Sequence, residues 1–228
     1  MTPQAFERDP ENRLVARGPR LRLDAEIIRD QALSLSGLLV EELGGPSVKP
    51  YQPPGMWTDM VEGGYGDYVE AEGDGLYRRS LYTFWKRTLG PPTMMTFDSS
   101  TREVCIVNTG ITNTPMQALS LMNDVTYVEA ARRLAERMMI EGGETPAQRI
   151  AYAYLLATAH QPPPRAAAIL TEGYAGHLER YQADRRAALA LVSEGRSVRD
   201  QTLDVAELAS YTMVANLILN FDGTITKE

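Results

Sequence analysis

Several things are scarce in this sequence. There is one cysteine, Cys105, so no internal disulfide can form and a structural zinc site built on several thiolates is excluded. Covalent haem attachment through Cys-x-x-Cys-His is excluded for the same reason. Only two histidines occur, His160 and His177. Positive charge is also short: 23 Lys and Arg face 30 Asp and Glu, for a net charge of -7. A nucleic-acid binder normally carries a basic footprint, so no nucleic-acid partner is expected. No apolar run approaches the length of a transmembrane helix. Residues 1–20 lack the apolar stretch of a signal peptide, so as written the chain reads as cytoplasmic or as a fragment.

What remains is the composition of a folded protein. The 228 residues are 43% hydrophobic and 23% charged, enough for one sizeable core. The pattern predicts a mainly α fold, about six helices in a single bundle-like domain over residues 1–228. Residues 1–20 read as an extended lead-in. Helical spacing of Ile27, Ile28, Leu35, Leu38 and Leu39 predicts a helix from Asp24 to Leu43, ended by Gly44-Gly45. Residues 45–77 hold too many Pro and Gly for a regular helix and read as one long irregular loop carrying Tyr51, Trp57, Tyr65 and Tyr68. A short helix is expected over Arg78–Thr88, and a short strand over Arg102–Val107.

The later helices have sharper starts. Thr114-Pro115-Met116-Gln117 and Thr145-Pro146-Ala147-Gln148 each place a capping Thr, a Pro at the first helical position and a Gln three residues after the cap. The first predicts a helix to Glu141, the second a helix to His160. A third is expected over Arg165–Glu194. The last starts at Asp204, with Glu207 completing a similar box, and runs to Asn220. It is apolar nearly all round, as a buried helix is.

Familiar chemical signatures find little support. Cys105 lies between apolar neighbours and reads as inert packing. His160 and His177 could serve as axial haem ligands, but their settings favour surface or structural roles. Gly63-Gly64-Tyr65-Gly66 lacks the Lys of a phosphate loop. Asp67, Glu70, Glu72 and Asp74 do not match a calcium loop, and no metal site is expected. The densest polar constellation runs from Arg78 to Asp124. Its residues are Arg78, Arg79, Tyr82, Trp85, Arg102, Glu103, Asn113, Asn123 and Asp124, with Tyr77, Phe84, Lys86, Arg87, Asp98 and Thr112 interleaved. Polar groups among apolar ones must find partners or stay wet. They form either a network tying loop to helix, which the pattern favours, or a site for an anionic or carbohydrate ligand with Trp or Tyr as platform.

The same residues carry a family resemblance. Arg20-Leu21-Arg22-Leu23-Asp24-Ala25-Glu26, Ile28-Arg29-Asp30, Gly44-Gly45-Pro46-Ser47-Val48, Arg78-Arg79-Ser80-Leu81-Tyr82, Pro92-Thr93-Met94 and Arg102-Glu103-Val104-Cys105 all contribute. Thr112 to Leu119 with Leu121-Met122-Asn123-Asp124 is the most specific run. Glu207-Leu208-Ala209 through Asn220, and Thr226-Lys227-Glu228, fit the usual ending. Over nearly its whole length the chain resembles the planctomycete-type domain of unknown function 1553. That resemblance implies a C-terminal domain of large exported bacterial proteins, periplasmic or at the cell surface. Companion domains precede it, often including a c-type cytochrome, while this chain itself carries no cofactor. It also implies a helical segment ahead of Asp9-Pro10-Glu11-Asn12-Arg13, and hence a fragment or a displaced start. It supplies no catalytic residue. Two functions stay open: a non-catalytic accessory or interaction module of a cytochrome-linked assembly, and an enzyme domain acting on a polysaccharide or other polymer through the Arg78–Asp124 residues.

Overall fold

Two helices form the centre. The computed structural model describes residues 3–16, 18, 20–53, 68–86, 90–107 and 110–227. Within them α5 (Val125–Glu141) and α9 (Val205–Leu219) share the most extensive helix–helix contact. Helix α9 also packs heavily on α7 (Pro164–Ala183) and α8 (Arg185–Val192), and α2 (Ala25–Ser36) covers α5. Surrounded this way, α9 has apolar groups on nearly every side because most of its surface is covered: Leu208, Ala209, Tyr211, Ala215 and Ile218 are all fully buried, while Leu217 stays exposed. Small residues let the two central backbones approach, with Ala130, Ala131 and Ala135 of α5 fully buried.

Helix α6 (Pro146–Thr158) begins as expected: Thr145 N–H donates to Gln148 Oε1 at 3.0 Å, and Gln148 N–H donates to Thr145 Oγ1 at 3.3 Å. At α4 (Pro115–Asn123), Thr114 N–H donates to Gln117 Oε1 at 3.3 Å. Asp204 caps α9 by accepting from the amides of Ala206 and Glu207. The Glu207 carboxylate sits 3.8 Å from Arg149.

The helices are shorter and more numerous than expected, ten among the described residues. The run from Thr114 to Glu141 divides at Asp124, whose backbone is extended and whose carboxylate accepts from Thr126 N–H. The run from Arg165 to Glu194 divides at Asp184, which caps α8 through Ala187 N–H. Helix α2 stops at Gly37, in the left-handed region at φ 75°, well before Gly44. Leu38, Leu39 and Val40 then leave the helix to pack with Leu33, Leu76 and Tyr77 in a small second core.

Three further expectations are corrected. The lead-in contains a helix, α1 (Pro3–Arg8). The stretch from Arg78 is not a helix: it holds one 3-10 turn, Ser80–Tyr82, between parallel bridges Val40–Arg78 and Val48–Thr83 that stitch it to the loop after α2. The stretch from Arg102 is not a strand but a bent surface segment, with Val104 and Val107 exposed. The strands found are β1 (Leu21–Arg22) and β2 (Thr226–Lys227), paired antiparallel. They follow α3 (Pro92–Thr96) and α10 (Asp222–Ile225) in being short. Of the long loop, residues 45–53 and 68–77 are described; Trp57, Tyr65 and the run Gly63-Gly64-Tyr65-Gly66-Asp67 lie outside the described residues, as does Arg87.

Candidate functional site

The nine expected site residues fall into separate arrangements. Arg78 is buried, and its guanidinium donates to three carbonyls of one loop: Glu42 O and Pro46 O, both at 3.1 Å, and Gly44 O. The Tyr82 ring lies 4.1 Å beneath that guanidinium, and its hydroxyl accepts from Gly44 N–H at 2.8 Å. The arginine's planar fork suits several carbonyls at once, and here it fixes the Gly44-Gly45 turn. Tyr82 is thereby a support for Arg78 rather than a platform for a ligand.

The adjoining anchor is one that sequence reading missed. Arg29 of α2 is buried and donates to Leu76 O at 2.7 Å, Arg78 O at 3.0 Å and Ser80 Oγ at 3.1 Å. Burial lowers its pKa, with Asp30 acting in the opposite direction. Asp30 accepts from Ser80 N–H at 2.7 Å and stands 3.9 Å from Arg79, which is half-exposed. One turn of α2 therefore holds residues 76–80 in place.

Trp85 and Arg102 meet on the surface side. The Arg102 guanidinium lies 4.3 Å over the Trp85 ring and 3.7 Å from Glu26, which also accepts from Ser99 Oγ. A Cβ on Gly90 would come within 2.6 Å of Trp85, so a glycine is needed there. Asp124 stands apart, accepting from Thr93 Oγ1 at 2.7 Å while capping α5. Glu103, Asn113 and Asn123 are exposed, and Asn123 donates back to Leu119 O of its own helix.

A second hub centres on Arg22. Its guanidinium donates to Thr112 O, Asp98, Gln117 Oε1 (3.1 Å) and Phe97 O (3.3 Å). Asp98 accepts in addition from Thr112 N–H and Oγ1, both at 2.8 Å. Burial pushes the Asp98 pKa up, but the Arg22 and Thr112 hydrogen bonds outweigh it and hold the carboxyl below its ordinary value. Arg22 and Ile111 separate two open clefts. One, of about 230 Å³, is bordered by Asp24, Glu26, Asp98 and Arg102. The other, of about 360 Å³, is bordered by Arg20, Asn113, Gln117, Asn220 and Asp222.

The most deeply buried charges lie elsewhere, on α5. Glu129 is fully buried and accepts from the hydroxyls of Tyr51 (3.0 Å) and Tyr77 (2.9 Å) and from Ser197 N–H (2.6 Å). Arg132 donates to Glu136 Oε1 at 2.6 Å and to Ser197 O at 2.8 Å. The Tyr51 hydroxyl in turn accepts from Arg196 N–H at 2.8 Å, and its pKa is raised by burial and by the neighbouring Tyr77 and Glu129. A Cβ on Gly195, which sits at φ 86°, would fall 2.2 Å from Glu129 Cδ. Spaced three and four apart on a helix, Glu129, Arg132 and Glu136 read in sequence like a solvated ion-pair stripe; only the loops folded over them make them internal.

The remaining candidates are dispersed. Cys105 is exposed rather than buried, because its segment is a surface bend. His160 is exposed with Nδ1 2.7 Å from Thr158 O. His177 stacks against Tyr181, and burial followed by Arg180 lowers its pKa. Glu70 faces Arg196 at 3.7 Å. Among the described residues no group of three or more His, Cys, Asp or Glu is placed to hold a metal ion, and no helix is long and apolar enough to cross a membrane.

The model of one protein family, described as a protein of unknown function (DUF1553, PSD1), matches residues 1–174. Neither the curated proteins nor the solved structures provide a match. The matched segment holds the Arg78 and Arg22 arrangements and Glu129 itself, while Gly195, Arg196 and Ser197, which close over Glu129, lie beyond it. The Glu207–Asn220 and Thr226–Glu228 stretches, which fit the family's ending in the sequence reading, lie beyond it.

Proposed function

The chain belongs to the DUF1553 family, and from that premise we propose that it is a non-catalytic accessory or interaction module. One observation carries this reading: the most buried of the gathered polar residues are occupied in holding the fold's own loops and helix starts. Arg78 holds three loop carbonyls, Arg29 holds two more, and Asp124 holds a helix start and Thr93. Side chains engaged in this way build a rigid surface rather than a reaction centre. The proposal includes the setting that the resemblance implies, an exported protein whose companion domains carry haem c while this domain contributes contacts and no cofactor of its own.

Alanine at Arg78, Arg102 or Asp124 tests it. Each change is expected to lower the melting temperature in proportion to the bonds lost. The isolated wild-type chain is expected to release no new reducing ends from a panel of polysaccharides. Release by the purified chain without a partner overturns the reading.

The alternative, an enzyme domain acting on a polysaccharide or other polymer, draws on the cleft of about 360 Å³ whose rim of Arg20, Asn113, Gln117 and Asn220 mixes donors and acceptors over an apolar floor of Leu121 and Ile225. On that reading Asn113→Ala abolishes turnover and leaves the melt unchanged.

A further inference from the structure

The clefts of about 230 and 360 Å³ lie side by side, with Arg22 and Ile111 lining both. The divide between them is apolar at the surface: Ile111 is 61% exposed, whereas the Arg22 side chain is nine-tenths buried. Together they make one groove with two compartments. A compact ligand fills one of them, and a chain laid across Ile111 fills both.

The charges around this groove select its ligand. Among the described residues three arginines border it, and each is matched by a carboxylate: Arg20 by Asp222 in the larger compartment, Arg102 by Glu26 in the smaller, and Arg22 by Asp98 at the divide. Asp24 adds one further carboxylate. An anionic chain therefore meets no surplus of positive charge here. Each outer pair instead sets a group that only donates beside one that only accepts, and both pairs reach the surface. A hydroxyl does both, so neighbouring hydroxyls of a sugar ring can accept from the guanidinium and donate to the carboxylate at one place. Leu23 in one compartment and Leu121 and Ile225 in the other offer apolar contact to the ring C–H faces. The strands beside the groove are two residues long, too short a ladder to take up a peptide strand. We propose that the groove binds a linear, uncharged oligosaccharide that spans both compartments. This rests on the interaction-module reading and names that module's partner.

The test is isothermal titration calorimetry of the full chain with linear hexasaccharides: cello-, xylo-, manno- and laminarihexaose as neutral probes and hexagalacturonate as an acidic one. The matching disaccharides and a neutral Gly-Ser hexapeptide run alongside. At least one neutral hexasaccharide is expected to bind, about tenfold or more tighter than its disaccharide, because it occupies both compartments. Hexagalacturonate should bind at least about tenfold more weakly, since its carboxylates meet those of the groove. Ile111→Asp, at the exposed divide, should erase the advantage of the hexasaccharide over the disaccharide. Far-UV circular dichroism checks that this variant keeps its fold, and Ile111→Ser, which adds no charge, carries the same expectation if it does not. The proposal is overturned if no neutral hexasaccharide binds, or if hexagalacturonate or the hexapeptide binds as tightly. Equal affinity for hexasaccharide and disaccharide, or an unchanged affinity in a folded Ile111 variant, overturns it too. None of these results touches the module reading, which fails instead if the chain releases new reducing ends from a bound hexasaccharide, an outcome that leaves the binding itself standing.

Discussion

Arg78 shows how a single side chain can hold a loop. Its guanidinium bridges carbonyls at residues 42, 44 and 46 and rests on Tyr82. Hydrogen bonds from a charged donor are worth about 1.5–3 kcal/mol each, so Arg78→Ala should cost at least about 2 kcal/mol in a denaturant melt. Arg78→Lys should recover little, since the three carbonyls are reached from two separate guanidinium nitrogens and an ammonium offers only one. Asp98 gives a pH dependence. Its pKa is lowered on folding, so its contribution is fully present above the unfolded carboxyl value of about 4 and fades as pH falls through the lower folded value. The melting difference between wild type and Asp98→Asn should therefore be clear near neutrality and vanish in strong acid. Gly195→Ala meets both an unfavourable φ and the Glu129 side chain; a loss of about 1–3 kcal/mol is expected from the same melt. The polar character of the Arg78–Asp124 stretch was legible in sequence, because Arg and Asp among apolar neighbours must be satisfied. Their partners were not, because many are backbone amides and carbonyls, which nearly every residue type supplies.

At the scale of elements, two aspartates decide where helices divide. Asp124 and Asp184 each stand in a run whose apolar spacing continues past them, so periodicity alone joins the flanking helices. Each carboxylate instead accepts an amide of the following first turn, and the backbone at the aspartate leaves the helical region. The Thr-Pro-x-Gln starts were legible because the whole cap is contained in four consecutive residues. The strand expected from Arg102 to Val107 was not realised, since β-branched residues favour a strand only where a neighbouring strand exists to pair with. Asp124→Ala removes both the α5 cap and the Thr93 bond. It should cost about 1–2 kcal/mol, more than Thr145→Ala at α6, which loses a cap alone.

For the whole molecule, the position of α9 dominates. It was legible as a buried helix from its composition, and it lies at the centre of the bundle although the family match stops at residue 174. Each large apolar side chain it buries stabilises the fold by about 1.5–3 kcal/mol. With Leu208, Tyr211 and Ile218 all fully buried, their sum approaches the 5–15 kcal/mol that holds a typical domain together. A fragment of residues 1–174 should therefore give a weak, non-cooperative circular dichroism melt, whereas the full chain melts sharply.

Glu129 receives, on one carboxylate, hydroxyls from the loop after α2 and an amide from the loop before α9. Neither loop can lift away without leaving that buried charge short of partners. The two segments, more than a hundred residues apart in the chain, should thus behave as one opening unit. In native-state hydrogen exchange the amides of Arg196 and Ser197 should lose protection together with that of Tyr77, at a shared free energy, and Glu129→Gln should speed all three in step.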